Sequence, residues 1–316
     1  MSQILDRRQW LGMLAAGSMV PMSMTACGGS DDNAAAAPPS SAPSRTLAVG
    51  SQRIAVYESA GTGPAIFLLH GNSTSSKIWQ QTLDGALGKK YRMVAIDLPG
   101  HGSSADASEA DRATTYSIPG YATIIKSVVS QLGLEKAVFV GWSLGGHAFL
   151  EASPALTQAA GFMIFGTPPL PFPPAADFGG AFLTGLGFVK DWTAAQANEF
   201  VAALAAPGTA TPAFFLADAL RTDGYARSSV AASIGTVGYA DEVVITAALK
   251  RPLAVLGGAC DQVVSLSYVQ ATASAIAKLW LEQVIVVDGA GHALQWEQPA
   301  RFDALLDAFV ASCQLV

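Results

Sequence analysis

Val138-Phe139-Val140-Gly141-Trp142-Ser143-Leu144-Gly145-Gly146 joins a continuous apolar run to a serine set between small residues, and a helical stretch containing Ala and Leu follows at once. An unbroken run of β-branched and aromatic residues predicts a short strand buried on both faces, which is how strands look in a parallel sheet covered on each side. Glycines on either side of Ser143 let the chain reverse sharply, because no Cβ atom crowds the serine at the strained turn. The same arrangement lifts the hydroxyl above the end of the strand.

Working outward, similar apolar runs recur at Ala65–Leu69, Met93–Ile96, Ala137–Val140, Gly161–Ile164, Leu253–Leu256 and Gln283–Val287, with helical stretches between them. Thr46–Val49 and Arg53–Glu58 flank Gly50-Ser51 and predict a hairpin. The expected architecture is therefore an eight-stranded, mostly parallel α/β sheet with helices on both faces. Between Gly166 and Arg251 lie more than eighty residues rich in Ala, Phe, Gly and Pro. That is too long for a simple crossover, so a helical lid over about 167–250 is expected after the sixth strand.

A serine is a poor nucleophile at neutral pH and needs a base within hydrogen-bond reach. His292 lies in Asp288-Gly289-Ala290-Gly291-His292-Ala293, a glycine-rich loop after the last strand that can carry an imidazole across the sheet edge to Ser143. His70, His101 and His147 are expected to brace loops or pack. An imidazole that takes a proton needs a carboxylate to hold its tautomer. Asp261, after the Leu253–Leu256 strand, completes the chain order Ser, Asp, His and is preferred to Asp288, which is four residues from His292 on the same loop. Backbone donors for an oxyanion are expected from Leu144 and from Asn72 in His70-Gly71-Asn72-Ser73. Gly71 and Trp142 are expected to meet the substrate.

Composition limits the alternatives. The chain has 316 residues, 51% of them hydrophobic and 13% charged, enough to bury a large core without metals or disulfides. A formal charge of −6, with no basic run after the first ten residues, leaves no electrostatic footprint for nucleic acid. No metal-ligand spacing and no phosphate-cradling loop stands out, so no metal and no cofactor are expected. Serine rather than aspartate at the elbow argues against dehalogenase or epoxide hydrolase chemistry.

Residues 1–26 read as an export signal: Arg7-Arg8 followed by an apolar run broken by Gly12, Gly17 and Pro21, which is too short for a spanning helix. The paired arginines point to the twin-arginine route. Met24-Thr25-Ala26-Cys27 resembles a bacterial lipobox, in which Cys27 would be acylated, and residues 27–45 read as a tether too poor in apolar side chains to fold. The mature chain, having lost Asp6, Arg7 and Arg8, would carry −7. The expected place is the periplasmic side, lipid-anchored to a membrane, and Gly28 rather than Asp after the cysteine favours the outer one. Cys260 and Cys313 are expected about 20 Å apart at opposite ends of the sheet, too far to bridge, and so to be free thiols.

With His70-Gly71-Asn72, Asp97-Leu98-Pro99-Gly100-His101-Gly102, Gly141-Trp142-Ser143-Leu144-Gly145-Gly146-His147 and Gly291-His292, residues 46–316 resemble the α/β-hydrolases. Within that family, Gly88-Lys89-Lys90, Tyr116-Ser117, Gly120-Tyr121-Ala122, Gly166-Thr167-Pro168-Pro169, Arg221-Thr222-Asp223-Gly224 and Ala226-Arg227 are similar to metal-independent N-acyl-homoserine lactonases. The resemblance implies a serine hydrolase that cleaves a carboxylic ester or lactone through an acyl-enzyme, with a small ester or lactone as partner. A general carboxylesterase, a cofactor-free haloperoxidase-like perhydrolase and a binding protein that has lost catalysis are the alternatives. The resemblance implies a lid tyrosine offered to the substrate; Leu170 to Leu220 contains none, and its phenylalanines, Phe172, Phe178, Phe182, Phe188, Phe200, Phe214 and Phe215, are expected to form an apolar cover, roughly half of them holding the lid to the body and the others lining an acyl pocket.

Overall fold

The computed structural model describes residues 43–174, 185–234 and 239–314. The leader, most of the tether, Phe178 and Phe182 lie outside them. Eight strands form one sheet in the order β1-β2-β4-β3-β5-β6-β7-β8. They are β1 (Arg45–Val49), β2 (Gln52–Glu58), β3 (Gly63–Leu69), β4 (Tyr91–Ile96), β5 (Val138–Trp142), β6 (Gly161–Phe165), β7 (Leu253–Gly258) and β8 (Ile285–Val287). β2 runs antiparallel to β1 and β4, and every other pairing is parallel. All eight expected strands are present, with shifted ends: β5 runs two residues further, to Trp142, and β8 starts only at Ile285.

The alternation of side chains explains why both faces need covering. Phe67, Phe139 and Phe162 are register partners on neighbouring strands and form an aromatic stripe, against which Phe149 packs with ring centroids 5.4 Å from Phe67 and 5.3 Å from Phe139. Phe165, three residues after Phe162, points to the other face by the period of two. There it meets Trp79 and Phe302. Phe149 belongs to the helix Leu144–Ala152 and Phe302 to Pro299–Cys313, so the two faces are closed by different helices.

Helix α1 (Ile118–Leu132) shows how local sequence supports this plan. Ser117 caps it by accepting the Gly120 N–H, and Gly133 ends it in the left-handed conformation at φ 64°. Its apolar residues recur at helical spacing, among them Ile118, Tyr121, Ile125, Val128 and Leu132, and are buried. It packs against α2 (Leu144–Ala152), the helix that starts at the Ser143 elbow. Between β6 and β7 the described chain forms α3 (Ala194–Ala203), α4 (Ala213–Arg221), α5 (Gly224–Ser233) and α6 (Glu242–Ala248). Among the described residues no helix is long and apolar enough to cross a membrane.

Cys313, in the C-terminal helix, is a buried free thiol, pushed up to about 12 by that burial. Cys260 is disulfide-bonded, against the expectation of two free thiols. Cys260 and Cys313 do not pair with each other, since Cys313 is a free thiol.

Two completely buried histidines tie the loops after β3 and β4. His70 donates from Nδ1 to the Gly71 carbonyl and accepts the Leu98 N–H at Nε2, 2.9 Å away, and its ring lies 5.2 Å from that of His101. Burial holds His70 below the ordinary imidazole value and His101 well below it, the neighbouring His70 adding to the effect. The folded rings therefore stay neutral while the unfolded chain takes up protons near pH 6.5. Their contribution is flat above that pH, and stability is lost as pH falls below it. Melting temperature against pH should show a steeper decline below about pH 6.5 in the native protein than in His101→Phe; parallel curves would refute this account.

Candidate active site

The elbow is where the sequence placed it. Ser143 has φ 53° and ψ −120°, a strained conformation for a residue with a side chain, and its amide donates to Phe165 O at 2.9 Å. Its carbonyl accepts from Gly146 N and from Thr167 Oγ1, both at 2.9 Å. These contacts to the end of β6 fix the turn.

Asp261, in the loop after β7, and His292, after β8, meet across the sheet edge: Oδ2 lies 2.9 Å from Nδ1, with the side chains 4% and 1% exposed. The other Asp261 oxygen accepts the Val263 and Val264 N–H groups at 2.8 and 3.0 Å, so the carboxylate cannot swing away without breaking its own loop. Asp288 is exposed, and the ring's partner is Asp261. Gly166, at φ 55°, backs the imidazole; a Cβ there would stand 2.6 Å from His292 Cε1. Only glycine fits both that backbone and that contact.

Two further carboxylates were not singled out in the sequence. Glu297 accepts from Gly291 N at 2.8 Å and from Ala206 N at 2.7 Å, while Ala293 N donates to Leu204 O at 2.7 Å. The His292 loop is thereby clamped to residues 204–206 of the insertion. Burial raises the Glu297 carboxyl above its ordinary value. Glu242, at the start of α6 and fully buried, brings both oxygens to 2.9 Å from His147 Nδ1. Glu297 is five residues from His292 and was findable as a neighbour. Glu242 is 95 residues from His147, and nothing local announces the pair.

A small cavity of about 50 Å³ is bounded by Ser143, Leu144, Asn72, His147 and Gly166 together with Ile118, Leu170, Phe188, Val230, Ile234, Val263 and Val264. Leu144 is the first residue of α2, where an amide has no acceptor within the helix. Asn72 lies on the wall, and its side chain donates to Gly187 O at 2.7 Å. His147, expected to pack, is instead part of the wall.

Trp142 and Gly71, expected to meet the substrate, do not line this cavity. Trp142 is fully buried and its indole N–H donates to His292 O at 2.9 Å, because the last strand residue before the elbow points into the body. Gly71 is a spacer: a Cβ would come within 3.1 Å of the Ser143 Cβ and of the Trp142 ring. The phenylalanine cover is also thinner than expected. Phe188 alone among the described lid phenylalanines lines the cavity; Phe200 packs on Trp192, Phe214 and Phe215 on Trp296, and Phe172 is exposed. Among the described residues no group of three His, Cys, Asp or Glu is placed to hold a metal ion.

A serine elbow at the C-terminal edge of a mostly parallel, eight-stranded sheet, with an Asp–His pair delivered from the loops after the last two strands, defines the α/β-hydrolase class. The model of the alpha/beta hydrolase family matches residues 66–305, and the chain belongs to that family. Among solved structures it is similar to a mutant of the N-acyl homoserine lactonase AidH complexed with N-hexanoyl homoserine lactone. The TM-score is 0.81 at 34% identity, covering 86% of this chain and 98% of that one. A putative aryl esterase from Burkholderia cenocepacia, 22% identical with a TM-score of 0.72, covers 86% of this chain and 99% of its own and shares the fold. Among curated proteins, a pimeloyl-[acyl-carrier protein] methyl ester esterase of Vibrio campbellii is 40% identical over 90 residues. That stretch spans 28% of this chain and 31% of the esterase, less than a third of the relative's length.

Proposed function

We propose that the protein hydrolyses a carboxylic ester or lactone through an acyl-enzyme formed on Ser143. The observation that carries this reading is the buried Asp261–His292 bond beside a cavity whose wall includes the strained serine. Ser143 Oγ attacks the carbonyl carbon and its proton passes to His292 Nε2, while Asp261 holds the proton on Nδ1 and balances the imidazolium. The oxyanion takes hydrogen bonds from the Leu144 and Asn72 amides. When the C–O bond breaks, His292 returns the proton to the leaving oxygen, and water repeats the cycle on the acyl-enzyme. A lactone's leaving oxygen stays attached to the acyl group throughout.

The finer reading is an N-acyl homoserine lactone. Its support is the 34% identity with a lactonase complexed with such a molecule, together with a wall of Ile, Leu, Val and one Phe suited to an acyl chain. A cavity of about 50 Å³ is well below the ~300 Å³ where small-molecule pockets begin, so substrate entry requires the insertion to give way. Each methylene buried should raise kcat/KM about fourfold until the space is filled. Lactone opening followed by pH-stat over homoserine lactones of increasing acyl length, beside aliphatic esters, checks this. Good ester turnover with no lactone opening at any length would leave a carboxylesterase.

We also propose that the chain is exported and held at a membrane by lipid on Cys27, on the strength of the paired arginines and the lipobox-like Met24-Thr25-Ala26-Cys27. Cys27→Ser should move the protein from the membrane to the soluble periplasmic fraction. Of the three cysteines, Cys313 is free and Cys260 is disulfide-bonded, and a sulfur carrying lipid cannot also join a disulfide, so lipid and disulfide are competing fates for Cys27; the mass of the residue-27 peptide before and after reduction decides between them, and an unlipidated peptide would overturn the anchor.

A further inference from the structure

Substrate has to pass the insertion, yet one part of the insertion is bonded to the two loops that carry Asp261 and His292. Residues 204–206 follow α3 and are buried. Their peptide groups reach three places in turn: Leu204 O accepts the Ala293 N–H at 2.7 Å, Ala205 O accepts from Gln262 Nε2 at 3.1 Å, and the Ala206 N–H donates to Glu297 Oε1 at 2.7 Å. Gln262 follows Asp261 in the chain, and Ala293 follows His292. The other Glu297 oxygen accepts the N–H of Gly291, the residue before His292, at 2.8 Å. Gly291 is pressed so close that a Cβ on it would run into the Ala205–Ala206 backbone. Both chain neighbours of the base therefore lean on 204–206, one directly and one through a carboxylate. Moving that segment outward would break these bonds and unseat His292. Glu297 itself is not on the cavity wall.

We propose that Glu297 is a positioning residue for the hydrolysis. By joining Gly291 to Ala206 it sets the His292 imidazole against Asp261 and makes residues 204–206 a fixed part of the site. Substrate is then admitted by other parts of the insertion, and the base keeps its alignment while the cavity opens. The inference rests on the hydrolase reading and names what fixes the base of that same site. Both partners of Glu297 are donors, which suits a carboxylate, an acceptor at each oxygen. A glutamine in its place has one acceptor and must turn its NH2 group toward one of the two N–H groups, so one tie is lost with almost no change of shape. A displaced His292 ring takes the Ser143 proton less well and returns it less well to the leaving oxygen.

The test compares kcat/KM, which reports acylation, for p-nitrophenyl butanoate and ethyl butanoate on the native protein and on Glu297→Gln. The two esters deliver the same acyl group. Nitrophenolate departs as a stable anion, whereas ethoxide must receive its proton from His292 as the C–O bond breaks. Glu297→Gln should lower kcat/KM about tenfold for the nitrophenyl ester and about 100-fold for the ethyl ester. Gln262→Met cuts only the tie at Ala205 and should shift the ratio of the two esters about threefold in the same direction, which serves where Glu297→Gln does not fold. Hydrogen exchange, which needs no substrate, should quicken at Ala206, Gly291 and Ala293 in Glu297→Gln while the amides of β6 and β7 keep their rates.

A merely structural role would lower both esters by one factor, the fraction of protein unfolded, and would speed exchange throughout the sheet as well. An unchanged ratio of the two esters in a folded variant, or exchange quickened uniformly, overturns the proposal and leaves the hydrolase reading in place. If the native protein hydrolyses no ester and no lactone, the hydrolase reading falls instead, and quickening confined to the three amides would still mark Glu297 as what holds the His292 loop.

Discussion

Ser143→Gly should abolish ester and lactone hydrolysis while making the fold more stable. Losing the Oγ removes the nucleophile, and in enzymes of this kind that costs about 10⁶-fold in kcat, leaving a residual rate from the oxyanion donors and binding. The backbone at φ 53° and ψ −120° is strained for any residue with a Cβ and natural for glycine. Relief of about 1 kcal/mol, read as a rise in melting temperature of about 2 °C, should accompany the loss of activity. Retained turnover in Ser143→Gly would remove Ser143 from the mechanism. A fall in stability would mean that the elbow is held for packing rather than for reactivity.

Asp261→Asn should lower kcat by about 10⁴ with the fold intact. The structure says why the asparagine cannot choose a harmless orientation. Oδ1 is committed to the Val263 and Val264 amides, so the new NH2 group must occupy the place of Oδ2 and donate to His292 Nδ1. The ring proton then moves to Nε2, the nitrogen that must be free to take the proton of Ser143. Steady-state kinetics of Asp261→Asn and Asp288→Asn, with circular dichroism as the control for folding, decide between the two acids. Asp288 is exposed, and its variant should keep nearly full activity. The reverse ranking would transfer the orienting role to Asp288.

The strand-to-helix elbow was legible because it is local. An apolar run, a serine between glycines and a helix form one contiguous signal, and only one backbone path satisfies it. Asp261 and His292 were legible for a related reason: parallel strands deliver the loops that follow them to the same sheet edge, so chain order stands in for spatial proximity. Trp142 was misplaced because adjacency in sequence to Ser143 says nothing of direction; along a strand, successive side chains alternate between faces. Which of the lid phenylalanines line the cavity and which hold the lid to the body was not legible for a similar reason. Composition counts apolar side chains, but Phe200, Phe214 and Phe215 found aromatic partners at Trp192 and Trp296, and aliphatic residues from α1, α5 and the Asp261 loop line the site.

By itself the sequence determined the fold class, the eight strands and the placing of a serine, an aspartate and a histidine at one edge of the sheet, since each depends on short-range periodicity, turn chemistry and the order of strands. Tertiary structure alone decided which way each side chain faces. It brought Glu242 to His147 across 95 residues and stitched residues 204–206 to the His292 loop through Glu297. Those contacts depend on how a long insertion folds back over the sheet. Hydrogen bonds between distant segments leave no period or spacing in a single chain from which they can be read.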